Sequence, residues 1–146
     1  MKKDYLKIIF YSMLAIFLLL VTFFAVPSES KNFLFPLVGI LGLLFLILGI
    51  VLIVLAKKKK GNLKIFLILT GASAISPLVF TILHNLFYAL AITFENVSLV
   101  FGFLDGASFI ISIIIAPICF IIGIIGSIYF FYKKSAKKTK KKKPSL

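Results

Sequence analysis

Apolar residues fall in four long runs along this chain, and polar residues gather in the short breaks between them. The runs cover residues 8–26, 33–56, 64–84 with an apolar extension to 92, and 107–132. Each is about 20 residues or longer, the length at which an α-helix crosses the roughly 30 Å hydrocarbon layer of a bilayer. Their apolar positions are continuous rather than alternating, which predicts helices and argues against a β-barrel. The breaks are Pro27 to Asn32, a lysine block from Lys57 to Lys60 with Gly61 and Asn62 as a helix stop and restart, and a longer connection from Glu95 to Gly106. The expected fold is an all-α membrane protein, a compact antiparallel four-transmembrane-helix bundle over residues 1–132. A disordered polybasic cytoplasmic tail is expected at 133–146.

Small and conformationally special residues sit inside the runs at helical spacing. Phe33 opens the second run and Pro36 falls in its first turn, where proline's missing N–H costs little. Beyond it, Gly39, Gly42 and Gly49 lie at offsets of three and seven, near one face that another helix backbone can approach closely. The third run is the least uniform, with Gly71 and Ser73 in a small-residue cluster, then Ser76-Pro77, then His84, Asn85 and Tyr88. Thirty helical residues reach about 45 Å, well beyond a bilayer core. The third run therefore either continues as one helix kinked at Pro77, or ends near His84 with the rest lying along the interface. Ala74, Thr81, Asn85 and Tyr88 follow a near-helical period and are expected to face inward. In the fourth run Ser112, Ala116, Cys119, Gly123 and Ser127 recur at spacings of four, three, four and four, giving a small-residue packing face. Pro117 interrupts that run, and Phe109, Ile114, Ile118, Phe120 and Ile124 point in other directions, some toward lipid.

Composition narrows the surroundings. With 62% hydrophobic and 14% charged residues, the chain is too apolar for a water-soluble domain, in which about a quarter of residues are charged. The first run, at 19 residues, exceeds the 7 to 15 of a signal-peptide core, and PSESKN after it lacks a small-x-small cleavage pattern, so a retained span is expected. The net charge of +13 arises from 17 basic residues, all of them lysine. All but Lys31 fall on one side of the expected topology, which places both termini and the 57–64 loop in the cytoplasm, in a cytoplasmic membrane. Lys57, Lys58, Lys59, Lys60, Lys133 and Lys134 then face anionic lipid headgroups of the bilayer, each contributing about 1 kcal/mol near a charged surface. Nucleic acid is disfavoured as a partner, because the chain has no arginine fork and its tail no aromatic residue for stacking.

Candidate chemistry is sparse. His84 is the sole histidine, and with Thr81, Asn85 and Tyr88 it forms the one polar cluster in an apolar run. An imidazole at membrane depth is costly and suggests a proton relay or substrate contact, whereas one near the headgroups simply meets water. Glu95 and Asp105 are the acids able to join it in an outward-facing vestibule. Asn85 is expected to hydrogen-bond across helices. One histidine and one cysteine do not make a metal centre, no cofactor motif is present, and no nucleophile–base arrangement marks an enzyme. The leading expectation is a non-enzymatic structural or accessory membrane protein that packs with itself as a homo-oligomer or with another membrane protein. The alternative is a small oligomeric channel or transporter with His84 and Asn85 at its outer mouth.

The string LTGASAISPLVFTILHNLFYAL, residues 69–90, and the later APICFIIGIIGSI, residues 116–128, carry a resemblance. Thr70-Gly71-Ala72-Ser73, Pro77, Leu83-His84-Asn85 with Tyr88, then Pro117, Gly123 and Gly126-Ser127 resemble an uncharacterised family of small four-span membrane proteins of bacteria and archaea. The two strings make up about a quarter of the chain. The resemblance implies a four-helix architecture in a prokaryotic cytoplasmic membrane and implies no activity.

Overall fold

The Asp4 carbonyl accepts from the N–H groups of Lys7 and Ile8 and so starts the first helix, α1 (Tyr5–Ala25). The computed structural model describes the backbone of residues 4–25 and 28–141, and the side chains of 4–23 and 36–133. Helix α2 (Ser28–Lys57) follows, with Pro36 inside it. Its end tightens through Lys58 N–H to Leu55 O and Lys59 N–H to Ala56 O. Gly61 then adopts a φ of +74°, the left-handed region that glycine enters without steric cost, and turns the chain. Lys64 N–H donates back to Gly61 O, opening α3 (Asn62–Thr93).

Helix α3 runs unbroken through Pro77 for 32 residues, so the third apolar run is one helix rather than a span followed by a separate interfacial piece. After Phe94, a single 3₁₀ turn (Glu95–Val97) leads directly into α4 (Ser98–Ile110). Here the structure departs from the sequence expectation, which takes 95–106 as an extended connection. Gly102, Asp105 and Gly106 read as loop signals, but they lie on a helix that packs along α3, where Phe101 stacks on Phe87 with ring centroids 6.4 Å apart. Tertiary packing overrides the local glycine penalty of about 1 kcal/mol each.

A π-helical turn (Ile111–Ile115) joins α4 to α5 (Ala116–Lys141), closed by the bond from Ala116 N–H to Ile111 O. Pro117 explains its position. Proline offers no N–H to the carbonyl four residues back, and its ring crowds that carbonyl, so a wider turn relieves both problems. Helix α5 continues to Lys141, past the point where the sequence analysis expects a disordered tail to begin, since lysine is itself a good helix former and the turn before it is already in place.

Among the described residues all regular structure is helical, and four helical stretches are long and apolar enough to cross a membrane. Helix α3 is central, packing against α2, α4 and α5, while α1 lies against α2. The core lies toward the lysine-rich end, around Leu6, Phe10 and Met13 of α1, Phe45 and Leu52 of α2, Leu67 of α3, and Phe120 and Phe131 of α5. Phe17, Phe45 and Phe120 form a triangle of rings that ties α1 to α2 and α5. Phe120 and Ile124 are therefore buried, against the expectation that they sit away from the packing face; Phe109, Ile114 and Ile118 are exposed.

Candidate functional site

The seam between α3 and the last helical stretch gathers most of the buried polar groups. Five residues define it: Thr70 and Ser73 on α3, and Ser108, Ser112 and Ser127 on α4, the π-turn and α5. Contacts climb one side as they descend the other: Phe66 stacks on Phe130, Thr70 meets Gly123, Thr81 meets Ser112, and His84 meets Asp105. At Gly123 an added Cβ would lie 2.5 Å from Thr70 Oγ1 and 2.8 Å from the Thr70 backbone nitrogen. At Gly126 it would run into the Phe66 ring. On the opposite side of α3, Gly71 abuts Gly49, and a Cβ there would come within 2.7 Å of the Gly49 carbonyl oxygen. These glycines let three helices approach at backbone distance.

The small-residue series of the last run is mostly inward: Ser112, Ala116, Gly123 and Ser127 are buried and Cys119 is half-buried. Ser108 extends the series one turn earlier at the same spacing of four, a signal present in the sequence that the expected loop at 95–106 hides. On α2, Gly49 is in contact, whereas among the described residues nothing lies within 4 Å of a Cβ built at Gly39 or Gly42.

At the π-turn, Ser112 Oγ donates to the Pro77 carbonyl at 3.2 Å and lies 3.2 Å from Thr81 Oγ1. One hydroxyl thus links the irregular turn of one helix to the proline of the other. One turn further, His84 Nδ1 lies 2.5 Å from Asp105 Oδ1 and 3.4 Å from the Asp105 carbonyl oxygen. The side chains are 31% and 20% exposed, and the Phe109 ring stands beside the imidazole with centroids 5.4 Å apart. Asp105 Oδ1 is shut off from solvent, and the His84 imidazole is the polar group beside it. Glu95 is exposed in the 3₁₀ turn and does not join the pair.

Two expectations for this cluster are corrected. Asn85 does not bond across helices; its amide donates to Thr81 O on its own helix at 2.9 Å, which is the local alternative open to any side-chain donor one turn away. Asn85 and Tyr88 also face outward rather than inward, because the α3 face that meets the last helix passes through Thr70, Thr81 and His84. Among the described residues no group of three His, Cys, Asp or Glu side chains lies close enough to hold a metal ion. The imidazole and carboxylate thus stand together one turn of α3 beyond the paired Thr81 and Ser112 hydroxyls.

At the opposite end, lysines rest on aromatic rings. Lys7 Nζ lies 5.6 Å from the centroid of Phe131, and Lys133 Nζ the same distance from that of Tyr129. Lys57, Lys58 and Lys60 are exposed, Lys59 less so, and the side chain of Lys134 lies outside the described residues. Comparison with family models, curated proteins and solved structures found no match to this chain.

Proposed function

We propose that this chain is an integral membrane protein of a cytoplasmic membrane, an antiparallel four-helix bundle with both termini in the cytoplasm, acting as a non-enzymatic accessory subunit that packs against another membrane protein or a second copy. The membrane placement is supported by exposed apolar side chains along all four long helices and by lysines concentrated at the helix ends beside residues 7, 57–64 and 133. The lysines over Phe131 and Tyr129 suit a headgroup layer containing anionic lipid. The observation that carries the accessory role is on α2. Gly49 is used within the chain, whereas among the described residues nothing lies against Gly39 or Gly42, which sit amid exposed Leu37, Ile40, Leu43 and Leu44. In lipid, such a small-residue surface is where a further helix gains close van der Waals contact.

Purification of the tagged protein in mild detergent at native expression level, with its mass and co-purifying proteins read by mass spectrometry, tests this. A stoichiometric membrane partner or a defined oligomer is expected, and Gly42→Leu should release it while the chain stays folded. A lone monomer, or association untouched by Gly42→Leu, would remove the basis for this role. The second reading, an oligomeric channel or transporter with His84 and Asn85 at its outer mouth, has the half-exposed His84–Asp105 pair in its favour. Proton-dependent flux in vesicles that disappears in His84→Ala would establish it.

A further inference from the structure

The packing face of α5 does not stop where the bundle does. Ala116, Phe120, Gly123, Ser127 and Phe131 are buried and follow one another at intervals of four, three, four and four, the repeat of a single helix face. The backbone stays helical to Lys141, so the same face passes next through positions 134, 138 and 141, and each of these is a lysine. The neighbouring face, which carries the exposed Ile122 and Tyr129, passes through Lys133, Lys137 and Lys140. By register the six lysines of the extension therefore divide evenly, three on the face that is inward in the bundle and three on the face that is outward.

More positive charge stands at the end of the bundle where the inward face emerges. Lys7 of α1 has its Nζ 5.6 Å from the centroid of Phe131, one turn before position 134. On α3 the stack of Phe66 on Phe130 sets the level, and Lys64 lies two residues nearer the start of that helix. Lys7 and Lys64 are half-buried, and among the described residues neither is in an ion pair; Asp4, exposed before α1, is the one described carboxylate at this end. Cations gathered in this way repel one another unless an anion lies among them.

The height of the lysine series selects the kind of anion. Positions 134 and 141 are about 10 Å apart along a helix. The headgroup layer is only roughly 5 to 7 Å deep on either side of the hydrocarbon. A single phosphate at the glycerol level meets the lower end alone, whereas a headgroup with further phosphate beyond it reaches both ends. We propose that the starts of α1 and α3 and the inward face of the α5 extension together form a binding site for a lipid whose headgroup carries phosphate at more than one height. Lys7 and Lys64 serve the phosphate nearest the bilayer, and Lys134, Lys138 and Lys141 serve those further out. The site rests on the membrane reading proposed above and names the lipid class that reading leaves open.

The test titrates the full chain, in neutral phosphatidylcholine nanodiscs, with a fluorescent short-chain phosphatidylinositol bisphosphate and reads anisotropy. Unlabelled phosphatidylinositol bisphosphate is expected to displace the probe at least about tenfold more effectively than phosphatidylglycerol compared at equal charge. The triple variant Lys134→Gln, Lys138→Gln, Lys141→Gln should weaken binding at least about tenfold. The triple variant Lys133→Gln, Lys137→Gln, Lys140→Gln, with the same loss of charge and the same helix propensity, should weaken it no more than about threefold. Lys64→Gln, on the α3 side of the site, should weaken it too. Equal losses in the two triple variants, or equal displacement by phosphatidylglycerol, would leave plain surface electrostatics and overturn the site. Soluble inositol trisphosphate binding as tightly as the lipid would overturn the lipid assignment. The headgroup preference of the parent chain decides alone if the inward-face variant does not fold. A chain that fails to enter lipid refutes the membrane reading and this inference with it, whereas the other failures refute this inference only.

Discussion

At the residue scale the glycines divide into those that carry packing and those that do not. Gly123 faces the backbone of Thr70, which cannot yield without moving α3, whereas Gly126 faces the ring of Phe66, a side chain that can swing. Gly123→Ala is therefore expected to destabilise more than Gly126→Ala. Gly123→Leu should cost at least the 1–3 kcal/mol typical of overpacking, read as a lower unfolding midpoint in a mixed-detergent titration. Gly39→Ala and Gly42→Ala, with open space around them, should leave that midpoint unchanged or raise it. Equal effects at Gly123 and Gly42 would contradict the close approach at Thr70. Spacing in the sequence singles out Gly39, Gly42 and Gly49 alike. What separates them is what each one meets: Gly71 and Ala74 of α3 lie against Gly49, whereas among the described residues nothing lies within 4 Å of a Cβ at Gly39 or Gly42, and that depends on two helices and not on one.

At the element scale the π-turn sets the phase of the last helix. An extra residue in one turn lets Ser108, Ser112, Ala116 and Phe120 all point inward at intervals of four, wider than an α-helix would hold over that length. The paired cysteine variant Thr81→Cys/Ser112→Cys, in a Cys119→Ser background, is expected to oxidise readily, because the native hydroxyls are 3.2 Å apart. Adding Pro117→Ala restores a backbone donor and removes the steric reason for the wider turn. It should slow the cross-link as the turn relaxes to α and rotates Ser112 off the seam. Unchanged cross-linking would separate the turn from Pro117. The sequence shows Pro117 and the four-residue spacing, yet neither reveals that the chain answers with a π-turn rather than a kink, since that choice is made by the partner groups Pro77 O and Thr81 Oγ1.

At the scale of the whole molecule, length and charge set the arrangement. A 32-residue helix is about 48 Å long, so α3 tilts or projects beyond a 30 Å core. His84 lies about 30 Å further along the helix than Lys64, a separation that matches the thickness of a bilayer core. In membrane vesicles of known orientation, in a Cys119→Ser background, Asn62→Cys is expected to react only with a permeant thiol reagent from outside, and Leu99→Cys with an impermeant one. Reaction of both from one side would refute the proposed topology. The lysine-rich ends and the apolar runs are legible in the sequence because they are properties of segments measured against their solvent. In the sequence Asp105 and Glu95 are candidates on equal terms for His84; the helix beginning at Ser98 puts Asp105 beside the imidazole and leaves Glu95 in the 3₁₀ turn.

The sequence by itself determined that there are four long apolar stretches, that they are helical, and that positive charge gathers at one set of ends. Each of these follows from local demands: a backbone without water must bond internally, and the length of an apolar run is countable. Only the tertiary structure decided which faces meet, that residues 98–110 are helix, that Phe120 is buried and Tyr88 is not, and that an imidazole and a carboxylate 21 positions apart form a pair. The reason is that an apolar helix in an apolar solvent carries no hydrophobic contrast between its inner and outer sides. Its rotation is set instead by where glycines admit a neighbouring backbone and where a few polar groups find each other, and those fits exist only between helices.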